Sequence, residues 1–185
     1  SSNTGVATVG SLTGIVSGVL GGTSVVSYTT GNGCFVTTTV TVNPLPAAIA
    51  GANNVCVGST TTLSDATGGG TWASSNTGIA TIGSLTGIVS GITAGTTTIT
   101  YRLGTSCNVT FAMTVNPTPV AITGTTTVCA GSTTTLSDAT AGGTWSSGAP
   151  GVATVGASTG IVSGVAAGTA NITYAIGSCI ATTSV

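Results

Sequence analysis

Histidine, lysine, glutamate and glutamine are all missing from this chain of 185 residues, and only Arg102, Asp65 and Asp138 carry side-chain charge. Each absence excludes something. The side chains that exchange protons near neutrality are chiefly His, Lys and the carboxylates. General acid–base catalysis therefore has almost nothing to work with, and no cofactor is expected. A single Arg cannot neutralise a row of phosphates, which excludes a nucleic-acid partner. Charged residues make up 2% of the chain, against about a quarter in an ordinary soluble domain. Two Trp, three Tyr and two Phe are too few for the aromatic girdles of a membrane barrel. No apolar run approaches the roughly 18 residues of a spanning helix, so membrane insertion is not expected. Ser1 opens in mid-pattern, without the basic and then apolar segments of a leader.

What is present is apolar and β-prone. Hydrophobic residues account for 41% of the chain, and the mean hydropathy is +0.61. That separates the sequence from disordered chains, which need low hydrophobicity. Val, Ile and Thr dominate in short runs, and these residues favour strands. With so little charge there is little repulsion between copies. A neutral surface of Ser, Thr, Gly and Ala suits a protein that assembles or is tethered.

The chain repeats itself. SSNTGVATVGSLTGIVSG (1–18) recurs as SSNTGIATIGSLTGIVSG (74–91) and, altered, as SGAPGVATVGASTGIVSG (147–164). VCVGSTTTLSDATGGGTW (55–72) recurs as VCAGSTTTLSDATAGGTW (128–145). The step is 73 residues, kept by Trp72 and Trp145, by Tyr28, Tyr101 and Tyr174, by Cys34 and Cys107, and by Cys56 and Cys129. Cys179 falls one residue short of it. Such a unit is too long for a solenoid coil and suits a small β-sandwich. Strands are expected near 59–64, 78–82, 86–92, 95–103 and 107–115, from β-rich runs bounded by Gly, Asn and Pro. The motifs NPLP (43–46) and NPTP (116–119) read as short stiff connectors. The expected domains are 1–43 (partial), 44–116 (complete) and 117–185 (nearly complete).

A Trp after a Gly-rich turn, then SSNTG[VI]AT[VI], TG[IV]VSG and a GTxx[IV]TY strand, resembles the bacterial immunoglobulin-like group 2 repeat. With VCxGSTTTLSDATxGGTW and the NPxP joint, the copies are similar to tandem repeats of very large secreted Bacteroidetes proteins. The resemblance implies an all-β fold of tandem immunoglobulin-like sandwiches. In function it implies a stalk, spacer or adhesin segment. The pattern departs from antibody domains: Tyr101 lies six residues before Cys107, and Cys56 precedes its strand. A disulfide formed from these cysteines is expected near one end of a sandwich rather than across its centre.

The five cysteines follow the repeat. Each unit has an early one (Cys56, Cys129) and a late one (Cys107, Cys179). The expected pairs are Cys56–Cys107 and Cys129–Cys179, within units. Cys34 is then a late cysteine left unpaired by truncation, its partner expected upstream of Ser1. Disulfides would place the protein outside the cytosol. Free buried thiols are the alternative. Zinc ligation lacks both a CxxC and a His.

Other candidates have plainer readings. Gly156-Ala157-Ser158-Thr159-Gly160 matches a nucleophile elbow, but no base is available for the Ser, so a hairpin turn is expected. Asp65 and Asp138, one per unit, make a poor calcium site and suit a turn that binds backbone N–H groups. Arg102 has no counterpart in the other copies and reads as a surface residue. Trp72 and Trp145, with Tyr101 and Tyr174, read as core residues of a sandwich, sugar stacking being the alternative for the two Trp. The sequons at Asn108 and Asn171 leave glycosylation open.

The function expected is therefore structural and non-catalytic. The chain reads as an extracellular repeat segment of a surface filament, fibre or stalk that associates with its own kind, exposed strand edges allowing pairing. The alternative is the stalk of an adhesin, whose glycan- or cell-binding domain lies outside the chain.

Overall fold

The computed structural model describes residues 1–185 and holds eighteen strands and no helix. The chain divides into two compact units. One comprises Ser1–Ile49, Asp65–Thr71 and Thr100–Thr110, the other Ala50–Ser64, Trp72–Ile99 and Phe111–Val185.

The first unit is built on two hairpins. β1 (Ala7–Val9) pairs with β2 (Val16–Gly18), and β3 (Gly22–Thr29) pairs along its whole length with β4 (Phe35–Val42). Its apolar side chains are largely in the open. Leu12 is 97% exposed, Tyr28 70% and Phe35 69%. What orders the N-terminus is a hydroxyl: Ser24 Oγ, on β3, accepts the Asn3 N–H at 3.1 Å and lies 2.7 Å from Ser1 Oγ.

Two two-layered β arrays follow in the chain, the second of them wholly within the second unit. In the first array, β5 (Asn54–Cys56), β11 (Asn108–Asn116), β10 (Gly95–Arg102) and β7 (Thr71–Ser74) form a sheet in that order. The second layer is β6 (Thr60–Thr62), β9 (Ile88–Gly91) and β8 (Ala80–Ile82). In the second array, β12 (Thr123–Gly124), β13 (Thr133–Ser137), β16 (Ile161–Gly164) and β15 (Ala153–Val155) form one sheet. β14 (Thr144–Ser147), β17 (Asn171–Ile176) and β18 (Cys179–Ser184) form the other.

Side chains on a strand alternate between its faces, and the sequence uses this directly. Along β17, Ile172, Tyr174 and Ile176 are buried and the residues between them are less so; along β11, Met113 and Val115 turn inward. The cores match residue for residue at the 73-residue step: Leu63 with Leu136, Ala80 with Ala153, Val89 with Val162, Ile99 with Ile172. The register repeats as well. Ala80 faces Gly91, Ala153 faces Gly164, and in the first unit Ala7 faces Gly18.

All five strand segments read from the sequence contain strands, β6, β8, β9, β10 and β11. The short strands β5 and β7 were not foreseen. β5 pairs in parallel with the end of β11, Cys56 falling opposite Asn116, and this pairing decides the disulfide.

Candidate functional site: a cystine joint

Cys56 and Cys179 are bonded, 5.7 Å apart between Cα atoms and 123 residues apart in the chain. Cys34, Cys107 and Cys129 are free thiols. This corrects the expected pairs Cys56–Cys107 and Cys129–Cys179. The reason is strand direction. Cys56 lies beside Asn116, at the last residue of β11, whereas Cys107 precedes the first. Nine strand residues span about 30 Å, and a disulfide requires Cα atoms within about 7 Å. The same holds in the following copy. Cys179 opens β18, while Thr126–Val128, just before Cys129, line a cavity with Ser184 and Val185 at its far end. The bond does lie at the end of a sheet rather than across its centre, but it joins one sequence copy to the next.

The joint is more than a bond. Gly177 and Ser178 make the tight turn between β17 and β18, with Ile176 paired to Cys179. Gly177 has φ +59°, a region that glycine enters without penalty. A Cβ there would strike the Asn116 side chain. Ser178 Oγ donates to Asn54 Oδ1 at 2.7 Å. Asn116 O accepts the Val57 N–H at 3.0 Å, and Thr118 Oγ1 donates to Val57 O at 2.9 Å. The NPTP segment thus runs against the strand that carries Cys56. Its second proline, Pro119, is buried, as is Pro46 of NPLP.

A second recurrent arrangement sits around the tyrosines. Tyr174 Oη donates to Thr140 O at 2.6 Å and accepts the Gly143 N–H at 2.8 Å. Tyr101 Oη does the same with Thr67 O at 2.6 Å and the Gly70 N–H at 2.9 Å. The turn it closes is shaped by the aspartates. Asp65 Oδ1 accepts the Thr67 N–H and Asp138 Oδ1 the Thr140 N–H, each at 2.7 Å. In each carboxylate Oδ2 is buried without a partner. Trp72 and Trp145 are each 8% exposed, Tyr101 5% and Tyr174 6%. The Trp145 and Tyr174 rings stand 4.7 Å apart between centroids, at a tilt. Gly156–Gly160 is a hairpin turn between β15 and β16, with Gly156 N–H bonded to Ile161 O at 2.9 Å. Arg102 is exposed at the end of β10.

Sequence reasoning missed the buried hydroxyl network. Thr97 Oγ1, 73 residues after Ser24, accepts the Asn76 N–H at 3.0 Å and lies 3.1 Å from both Ser74 Oγ and Ser75 Oγ. The repeated SSNTG carried that signal, since a hydroxyl pair before an Asn turn recurs at 1–3 and 74–76.

The fold is all-β, with its strands arranged in layered sheets. Residues 36–111 match the bacterial Ig-like domain (group 2) family model. No curated protein matches the chain. Among solved structures, the C-terminal 282-residue fragment of intimin, crystallised with the intimin-binding domain of its translocated receptor, is 17% identical. The match covers 76% of this chain and 63% of that one, with a TM-score of 0.45. Domains 1–6 of the surface layer protein SbsC are 20% identical over 94% of this chain and 36% of that one, at TM-score 0.37. Extracellular cadherin domains 3–6 of protocadherin gamma B2 are 14% identical over 88% and 56%, at TM-score 0.34. The chain spans less than two thirds of the length of each of these structures, and at such identities the likeness concerns the fold alone.

Proposed function

We propose that the chain is a structural, non-catalytic segment of an extracellular filament, fibre or stalk, made of sequence copies 1–43, 44–116 and 117–185, the last two of which are stapled together. The observation that carries this reading is the Cys56–Cys179 bond, because it ties consecutive copies rather than closing one. A link between copies keeps consecutive copies together under tension. Disulfides persist in oxidising compartments, which supports a secreted or surface location; no helix is long and apolar enough to cross a membrane. The chain's near-lack of charge and its exposed Leu12, Leu85 (81%) and Phe35 support side-by-side or end-to-end packing of copies. The burial of both Trp leaves no open ring face for sugar stacking.

Electron microscopy of the secreted material tests this, with and without reductant. Long regular filaments with a fixed axial repeat are expected. Isolated flexible beads would instead favour a stalk that displays an adhesive domain.

A further inference from the structure

The Cys56–Cys179 bond closes a loop, and the loop divides the chain by what it contains. Inside it lie Val57 to Ser178, and with them strands β6 to β17. The largest fully buried side chains, Leu63, Ile99, Met113, Leu136 and Ile172 among them, all fall within it. Outside are residues 1–55 and 180–185. The two cysteines stand where the outer segments meet the loop: Cys56 is the last residue of β5, and Cys179 the first of β18.

That placement fixes the route of a pulling force. A pull that reaches β5 from Asn53 leaves it through the Cys56 side chain, crosses to Cys179 and runs along β18 to Val185. Any pull that enters before Cys56 and leaves after Cys179 takes this route. Both strands are stretched along their own length, and neither is drawn off its neighbour. A strand already rises about 3.3 Å per residue, close to the limit of an extended chain, so tension adds little to either. β5 stays paired with the end of β11, and β18 with β17. With the bond open, the same pull has no covalent route but the loop itself. It then passes from β5 into β11 over three paired residues and from β18 into β17 over six, and through the cores behind them.

We infer that the Cys56–Cys179 bond is a load bypass: it carries tension past the buried cores of residues 57–178 and limits how far the chain extends. Fully extended, the 185 residues would span about 600–660 Å, and the segments outside the loop about 200–220 Å. The difference, about 400–440 Å, is held in reserve behind one S–S bond. This rests on the reading of the chain as a segment that bears tension in a stalk or filament, and names the residues that carry the load and those that do not.

The test stretches single molecules of the full chain, held by tags at both ends in optical tweezers. The oxidised chain is expected to reach a contour length of about 200–220 Å and no more. A dithiol is then added at a constant force that unfolds the freed loop. Two electrons and two protons pass to Cys56 and Cys179, and the dithiol closes to a cyclic disulfide. One reduction is expected to release about 400–440 Å. The chain carrying both Cys56→Ser and Cys179→Ser is expected to reach about 600–660 Å without dithiol. The wild-type record decides by itself where that variant does not fold. An oxidised wild-type chain that extends beyond about 600 Å would overturn the inference. So would two reductions that release about 165–185 Å each, the mark of bonds inside copies. Regular filaments in electron micrographs of a chain without the bypass would refute the bypass and leave the filament reading intact. A bypass in material seen only as isolated flexible beads would uphold the inference and count against the filament.

Discussion

Cys56 and Cys179 meet because β5 lies parallel to the last three residues of β11, not because their positions in the repeat select each other. In the chain-entropy account, closing a loop of more than a hundred residues restricts the unfolded chain by about 5 kcal/mol. Reduction, or Cys56→Ser with Cys179→Ser, should lower the unfolding free energy by about 3–5 kcal/mol. Thermal unfolding with and without reductant reads this directly. An unchanged midpoint would mean that the bond contributes nothing to the fold.

Tyr174 gives a second handle. Its hydroxyl serves both the Thr140 carbonyl and the Gly143 N–H, and the residue is 6% exposed. Tyr174→Phe keeps the ring and leaves those backbone groups unpaired, which should cost about 1–3 kcal/mol. Urea unfolding of the variant measures it. Ser158→Ala, in the exposed β15–β16 turn, should lie within about 0.5 kcal/mol of wild type.

Gly143 is a steric prediction at the same place. A Cβ there would lie inside the Tyr174 ring contact, whereas one at Gly151 would meet nothing within 4 Å. Gly143→Ala should destabilise by about 1–3 kcal/mol through overpacking, and Gly151→Ala should be close to neutral. Equal effects in denaturant unfolding would contradict the packing described.

The core offers the largest single-residue effect. Leu136 is 1% exposed within the cluster of Trp145, Val162 and Ile172. Leu136→Ala should cost about 2–5 kcal/mol from lost burial and the cavity left behind, read as a fall in the denaturation midpoint.

Charge makes a negative prediction. Salt screens interactions between exposed charges, and three charged side chains leave almost nothing to screen. Stability and assembly should hardly change between low salt and about 1 M. A steep salt dependence of sedimentation or light scattering would point to forces this chain does not carry.

The repeat made much of the fold legible. The β-rich runs bounded by Gly, Asn and Pro marked β10 and β11, and the 73-residue step relates Leu63 to Leu136 in the two cores. The disulfide was not legible, for a definite reason. The step fixes the phase of early and late cysteines, but pairing Cys56 with a late cysteine of its own copy or of the next satisfies that phase equally well. Only the direction of β5 against β11 separates the two, and β5 is three residues long with no alternation to reveal it. The buried hydroxyls of Ser24 and Thr97 were hidden by composition, since Ser and Thr fill the exposed positions too.

The measurement that bears most directly on the central claim is peptide mapping of the oxidised chain without reduction, after pepsin digestion at a pH too low for thiol exchange. The account predicts a linked peptide pair containing Cys56 and Cys179, with no bond from Cys56 to Cys107. Linked pairs Cys56–Cys107 and Cys129–Cys179 would contradict it. They would return each staple to its own copy and remove the joint on which the proposed assembly rests.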